Sequence, residues 1–260
     1  MFSLLLLPFF ITIILVLIHV YFGSFVLKRG ILFIDIALAQ WAALGYLVGV
    51  AFAIESAILL FLIGFIFTVI ASIIFISLKP IFNEINQQEA IIGILYITAT
   101  ALAIGIISST GMEGHHLNEM LSGHLLFIQP KEVIFAYILY TIIGLILIKC
   151  HTKFIQQTIL KWDLLFYILF GLVVTSSVKI AGVLLVFSYL VLPIISATLL
   201  YNQFKTRLIS AWIIGAVGSI IGLASSLFLD IAPTYCIIYA LVLIWIGLTL
   251  FSTFKHKKTR

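Results

Sequence analysis

LLFYILFGLVVTSSVKIAGVLLVFSYLVLPIISATLL, residues 164–200, decides the fold. It reads as two apolar runs, Leu164–Val178 and Ile180–Leu200, separated by Lys179 alone. A helix of about 20 apolar residues crosses the ~30 Å hydrocarbon core of a bilayer. The second run is long enough to do so; the first, at 15 residues, is short. Either the first run thins the membrane locally, or the two form one broken unit, an arrangement tolerated where it lines a cavity. Pro193 sits inside the second run, where proline breaks the backbone ladder and frees a carbonyl. Such a kink in a membrane helix packs against neighbouring helices, often beside a pathway.

The rest of the chain has the same character. Of its 260 residues 64% are hydrophobic and 9% charged, against about 25% charged in a typical soluble domain. The mean hydropathy is +1.33. Further apolar runs cover Phe2–Phe22, Leu32–Ala53, Ser56–Leu78, Ala90–Ser109, Val133–Ile148, Leu208–Leu229 and Pro233–Phe254, which makes nine candidate segments in all. The expected fold is an all-α polytopic membrane protein of eight to nine transmembrane segments, one short or broken, forming a single domain over residues 1–260. No stretch is polar enough for a nucleotide-binding domain. The first run has no basic n-region and no small-residue cleavage motif, so it is expected to be a retained span. Cys150 and Cys236 match no metal or redox spacing and are expected to be reduced thiols.

The net charge of +5 is too small to signal nucleic acid; its placement sets orientation instead. With the N-terminus outside and nine crossings, only Lys131 and Lys179 of the fourteen basic residues face out. The Lys255–Arg260 tail falls inside. The positive-inside rule therefore predicts N-out, C-in.

Two constellations carry candidate chemistry. Asp35 lies within an apolar run, FIDIALAQWAALG, where a carboxylate costs a few kcal/mol and should face protein or a water-filled path. Gln40 follows about 140° round the helix, so both can border a wide cavity. Asp35 alternatively belongs to a packing helix and reaches interfacial water or a lysine. The second constellation is GMEGHHLNEMLSGH, residues 111–124, where His115 and Glu119, four apart, or His116 and Glu119, three apart, are spaced to share a helix face. Imidazole and carboxylate suit Zn²⁺ and Mn²⁺, although a solvated loop would have the same composition. No HExxH occurs, so a zinc-protease arrangement is missing. Glu89 opens its span at a helix N-terminus, where the macrodipole alone accounts for it.

These segments together resemble the inner-membrane permeases of bacterial ABC importers for zinc, manganese or iron(II). AGVLLVFSYLVLPIISATLL, residues 181–200, is similar to that family's most recognisable segment. KRGILFIDIALAQWAALG resembles its second-helix motif, EAIIGILYITATALAIGII its fourth helix, LNEMLSGHLLFIQPKEV the extracellular stretch before the fifth span, and GLASSLFLDIAPTYCIIYAL its C-terminal turn. Where that family usually has an Asp and a His four residues apart, Gln40 takes the histidine's place and Asp35 is displaced by one. The resemblance implies a bacterial inner-membrane, multi-pass transporter subunit with no permanently bound cofactor. Its implied partners are a cytoplasmic ATP-binding subunit, an extracytoplasmic metal-binding protein, a second copy of itself and membrane lipid, with no nucleic acid.

On that reading Asp35, Gln40 and Pro193 border the transport pathway. Asp35 meets the metal, and His115, His116 and Glu119 capture it earlier. Two Asp35 and two Gln40 side chains make a hard oxygen set, which favours Mn²⁺ or Fe²⁺ slightly over Zn²⁺. The segment Lys149–Asp163, shorter than in the family, takes the ATPase-docking role the resemblance implies. Lys153, Phe154, Ile155, Lys161 and Trp162 offer a short basic and apolar surface for helix-in-groove docking. Trp162 alternatively serves as an interfacial anchor. The other readings open are an intramembrane metalloenzyme using the histidine cluster and a structural membrane protein without cargo.

Overall fold

The computed structural model describes residues 2–81, 85–110, 123–156 and 160–258. The described residues are helical almost throughout. The helices are α1 (Phe2–Arg29), α2 (Ile34–Ala51), α3 (Ala57–Leu78), α4 (Ile85–Thr110), α5 (Pro130–Lys149), α6 (His151–Gln156), α7 (Leu160–Thr198), α8 (Phe204–Leu229) and α9 (Pro233–Lys258), with one 3₁₀ turn at Leu125–Phe127. All but α6 are long and apolar enough to cross a membrane. The reason is physical: without water in the hydrocarbon region, every backbone N–H and C=O must be satisfied within the segment.

α7 has 39 residues. At 1.5 Å per residue it would be about 58 Å long, roughly twice the hydrocarbon core. It is not one rod. Gly182 has φ 78° and ψ 156°, a combination open essentially to glycine alone. The break divides α7 into arms about 33 Å and about 24 Å long. The short first run anticipated from the sequence is therefore corrected at both ends. It takes in Leu160–Asp163, where Asp163 is ion-paired with Arg29 and Lys79, and continues past Lys179, which a helix tolerates, to the first residue that can turn out of it.

The chain forms two compact units. One comprises Met1–Ser24, Ser122–Ile142 and Ile180–Arg260. Within it α8 packs on α9: the Ile237 backbone lies so close to Gly222 that no side chain fits there, and Gly218 faces the end of the Leu241 side chain. Gly215 faces Val16 and Pro193, while the Trp212 indole donates to the Leu17 carbonyl at 3.1 Å. Tyr189 and Ser219, both buried, share a 2.7 Å hydroxyl hydrogen bond. The His124 amide donates to the Ile180 carbonyl at 3.2 Å, which ties the turn before α5 to the break in α7.

The second unit comprises Phe25–Leu121 and Ile143–Lys179. Here α2 packs on α3 and α4. Small residues allow close backbone approach: a methyl at Gly45 would lie 2.8 Å from the Gly64 Cα and 2.9 Å from the Ile63 carbonyl oxygen. The Trp41 indole crosses to the Leu95 carbonyl at 3.0 Å, and Thr68 and Thr175 meet at 3.4 Å.

Candidate functional site: a buried carboxylate and a charged helix-end cluster

Asp35 lies in the first turn of α2 and is 2% exposed. Its Oδ1 has no hydrogen-bond partner among the described residues. A buried carboxylate oxygen without a partner costs several kcal/mol unless the group is neutralised or meets a cation. Gln40, on the same helix, is half-buried. Pro193 is buried in the second arm of α7 and belongs to the other unit. His115, His116 and Glu119 lie outside the described residues. Among the described residues no three His, Cys, Asp or Glu side chains come together as a metal site.

The five residues expected to form a docking surface divide. Lys153 and Lys161 are exposed, and Trp162 is half-buried. The Lys153 ammonium stands 4.1 Å from the Trp162 ring centroid, a cation–π contact that joins α6 to the start of α7. Phe154, in contrast, is 0% exposed. Its ring lies among those of Phe25, Trp162 and Phe166, at centroid distances of 6.4, 6.4 and 5.8 Å. The expected surface therefore loses Phe154, because this aromatic cluster draws the ring inward. The side chain of Ile155 lies outside the described residues. His151 packs edge-on against Phe25 at 5.3 Å, and burial together with the Lys28 charge lowers its pKa below the ordinary histidine value.

Beside this cluster lies an ion network that sequence reasoning did not single out. Arg29 ends α1, where Gly30 (φ 69°) closes the helix by bonding to the Leu27 carbonyl while the Ile31 amide bonds to that of Val26. This is a Schellman closure. Lys79 is the C-cap of α3, and Asp163 lies in the first turn of α7. Arg29 Nη1 is 3.1 Å from Asp163 Oδ1, and Lys79 Nζ is 2.7 Å from Oδ2. The signs match the helix dipoles, with cations at two C-termini and the anion at an N-terminus. The available sequence signal was an acid at the head of an apolar run, with cations at the ends of two others.

A model of the ABC 3 transport family matches residues 1–252. The chain belongs to that family and is a multi-pass membrane protein. A probable iron transport system membrane protein of Haemophilus influenzae is 28% identical over 247 residues, covering 89% of this chain and 84% of that one. The manganese import system permease protein ScaB of Streptococcus parasanguinis is 23% identical, covering 92% and 86%. Among solved structures, PsaBC from Streptococcus pneumoniae, in complex with Fab, aligns with a TM-score of 0.77 at 19% identity, covering 94% of this chain and 90% of that one. At that identity the likeness concerns the fold.

Proposed function

We propose that this chain is the membrane-spanning permease subunit of an ATP-driven importer for a divalent transition-metal ion: manganese, iron(II) or zinc. Two copies form the pathway, a separate cytoplasmic subunit hydrolyses ATP, and an extracytoplasmic protein delivers the metal. The observation that carries this reading is Asp35, a buried carboxylate with an unpartnered oxygen inside a membrane-crossing helix. A divalent ion in a low-dielectric region needs negative charge and oxygen or nitrogen ligands. A two-fold pair of chains supplies two Asp35 carboxylates, with Gln40 amides adding neutral oxygens. This set tilts the preference toward Mn²⁺ or Fe²⁺. The relatives named for manganese and iron transport support the same assignment.

The topology is N-out and C-in with nine crossings, each arm of α7 making one; the division of α7 at Gly182 supports that count. His115, His116 and Glu119 act at the outer face as a first capture point. Lys153, Lys161 and Trp162 present α6 and the start of α7 to the ATPase. Reconstitution with the ATP-binding subunit and the metal-binding protein tests the assignment. The expected result is ATP-dependent uptake of radioactive manganese or iron, zinc uptake being weaker and increased by Gln40→His. Absence of uptake of all three metals would remove the assignment.

A further inference from the structure

We propose that Arg29, Asp163 and Lys79 form a positioning lock that fixes the short helix α6 to the ends of α1, α3 and α7. Arg29 is the centre of the lock. Its Nη1 pairs with Asp163, while its Nη2 donates to the backbone carbonyl of Phe154 at 2.9 Å. Its guanidinium carbon also lies 4.0 Å from the centroid of the Phe166 ring. The Phe154 carbonyl belongs to the last described turn of α6. One planar fork thus serves the end of α6, the start of α7 and an aromatic face at once.

A lysine ammonium, being a compact point charge, does not reproduce that division of contacts. Lys79 completes the lock from α3 by holding the second Asp163 oxygen. The described part of α6, six residues, is too short to hold a helix unaided. The position of α6 is therefore set by its ties: the Phe154 ring among Phe25, Trp162 and Phe166, and the Phe154 carbonyl on Arg29. Through Arg29 and Lys79, α6 moves with the ends of α1 and α3 instead of following α5 and α7 alone. The consequence for transport rests on the reading of α6 as part of the ATPase-docking face: movement of that face would reach three spans through one buried cluster.

The two native cysteines provide the test. Cys150 is half-buried at the junction of α5 and α6, and its carbonyl accepts from the Phe154 amide at 3.0 Å. Cys236 is buried in the other unit. Maleimide labelling of the full chain in membranes should show Cys150 reacting about tenfold faster in Arg29→Lys and Arg29→Gln, as loss of a hydrogen bond from a charged group implies. Cys236 should stay slow. Unchanged Cys150 labelling in both variants would overturn the lock. If Arg29→Gln also exposes Cys236, the fold itself is lost, and Arg29→Lys decides by the same criterion. Co-purification of Arg29→Lys with the ATPase separates the two ideas. Faster Cys150 labelling with full ATPase binding would support the lock and count against α6 as part of the docking face.

Discussion

Replacing Gly182 by alanine sets two preferences of the chain against each other. Alanine at φ 78° and ψ 156° enters a region essentially reserved for glycine, at a cost of about 1–3 kcal/mol. Alanine also favours a continuous helix by about 1 kcal/mol over glycine, but a continuous α7 would be about 58 Å long and would lose the contacts of both arms. The break should therefore persist, strained. For a chain of this size, about 1–3 kcal/mol corresponds to a fall in the apparent unfolding midpoint of about 2–12 °C. Gly144 in α5 provides the control, because a methyl group there meets nothing within 4 Å. Gly144→Ala should be neutral or stabilising by about 0.5–1 kcal/mol. The assay is size-exclusion chromatography of detergent-solubilised protein after a temperature series. Equal midpoints for the two variants, or a Gly182→Ala chain more stable than the parent, would refute the left-handed break.

Gly45→Ala places a methyl 2.8 Å from a backbone carbon and should destabilise the same midpoint by about 1–3 kcal/mol, whereas at Gly49 the nearest atom is the end of the Leu60 side chain, and Gly49→Ala should cost less. Phe154→Ala removes a fully buried ring, and its cost of about 3–5 kcal/mol should appear as lost folded protein rather than as selective loss of ATPase binding. Lys161→Glu, on an exposed side chain, should weaken ATPase co-purification with the midpoint unchanged; intact co-purification would remove Lys161 from the docking face. A reporter fused at Arg260 should be active in the cytoplasm, and a tail accessible from outside intact cells would contradict nine crossings.

Much of the fold was legible because long apolar runs leave the backbone no alternative to helix. The break in α7 was legible as an event but misplaced, and the misplacement has a cause. A lysine is the visible interruption in residues 164–200, yet it can stay helical and extend its ammonium along the chain surface. The residue that turns the chain is Gly182, which hydropathy does not distinguish from its neighbours. Asp35 stands out in the sequence because a carboxylate in an apolar run is costly wherever it points, and the fold buries it. Phe154 falls in a short basic and apolar stretch that the resemblance marks as a docking surface, whereas its partners Phe25 and Phe166 lie on other helices, which the stretch itself does not show. Arg29 and Lys79 enter the sequence reading only among the basic residues that set orientation, and Asp163 only as the end of the docking segment; their pairing depends on three helix ends meeting, which no local pattern encodes.

The central claim, that Asp35 serves the metal and not the packing of α2, is tested most directly by the transport rate of Asp35→Asn. Asparagine keeps the size of the side chain and removes its charge. Reconstituted with the ATP-binding subunit and the metal-binding protein, the variant should be folded and expressed as the parent and nearly devoid of ATP-dependent manganese or iron uptake. Uptake at the parent rate would show that the carboxylate is structural and that the metal path is lined by other residues.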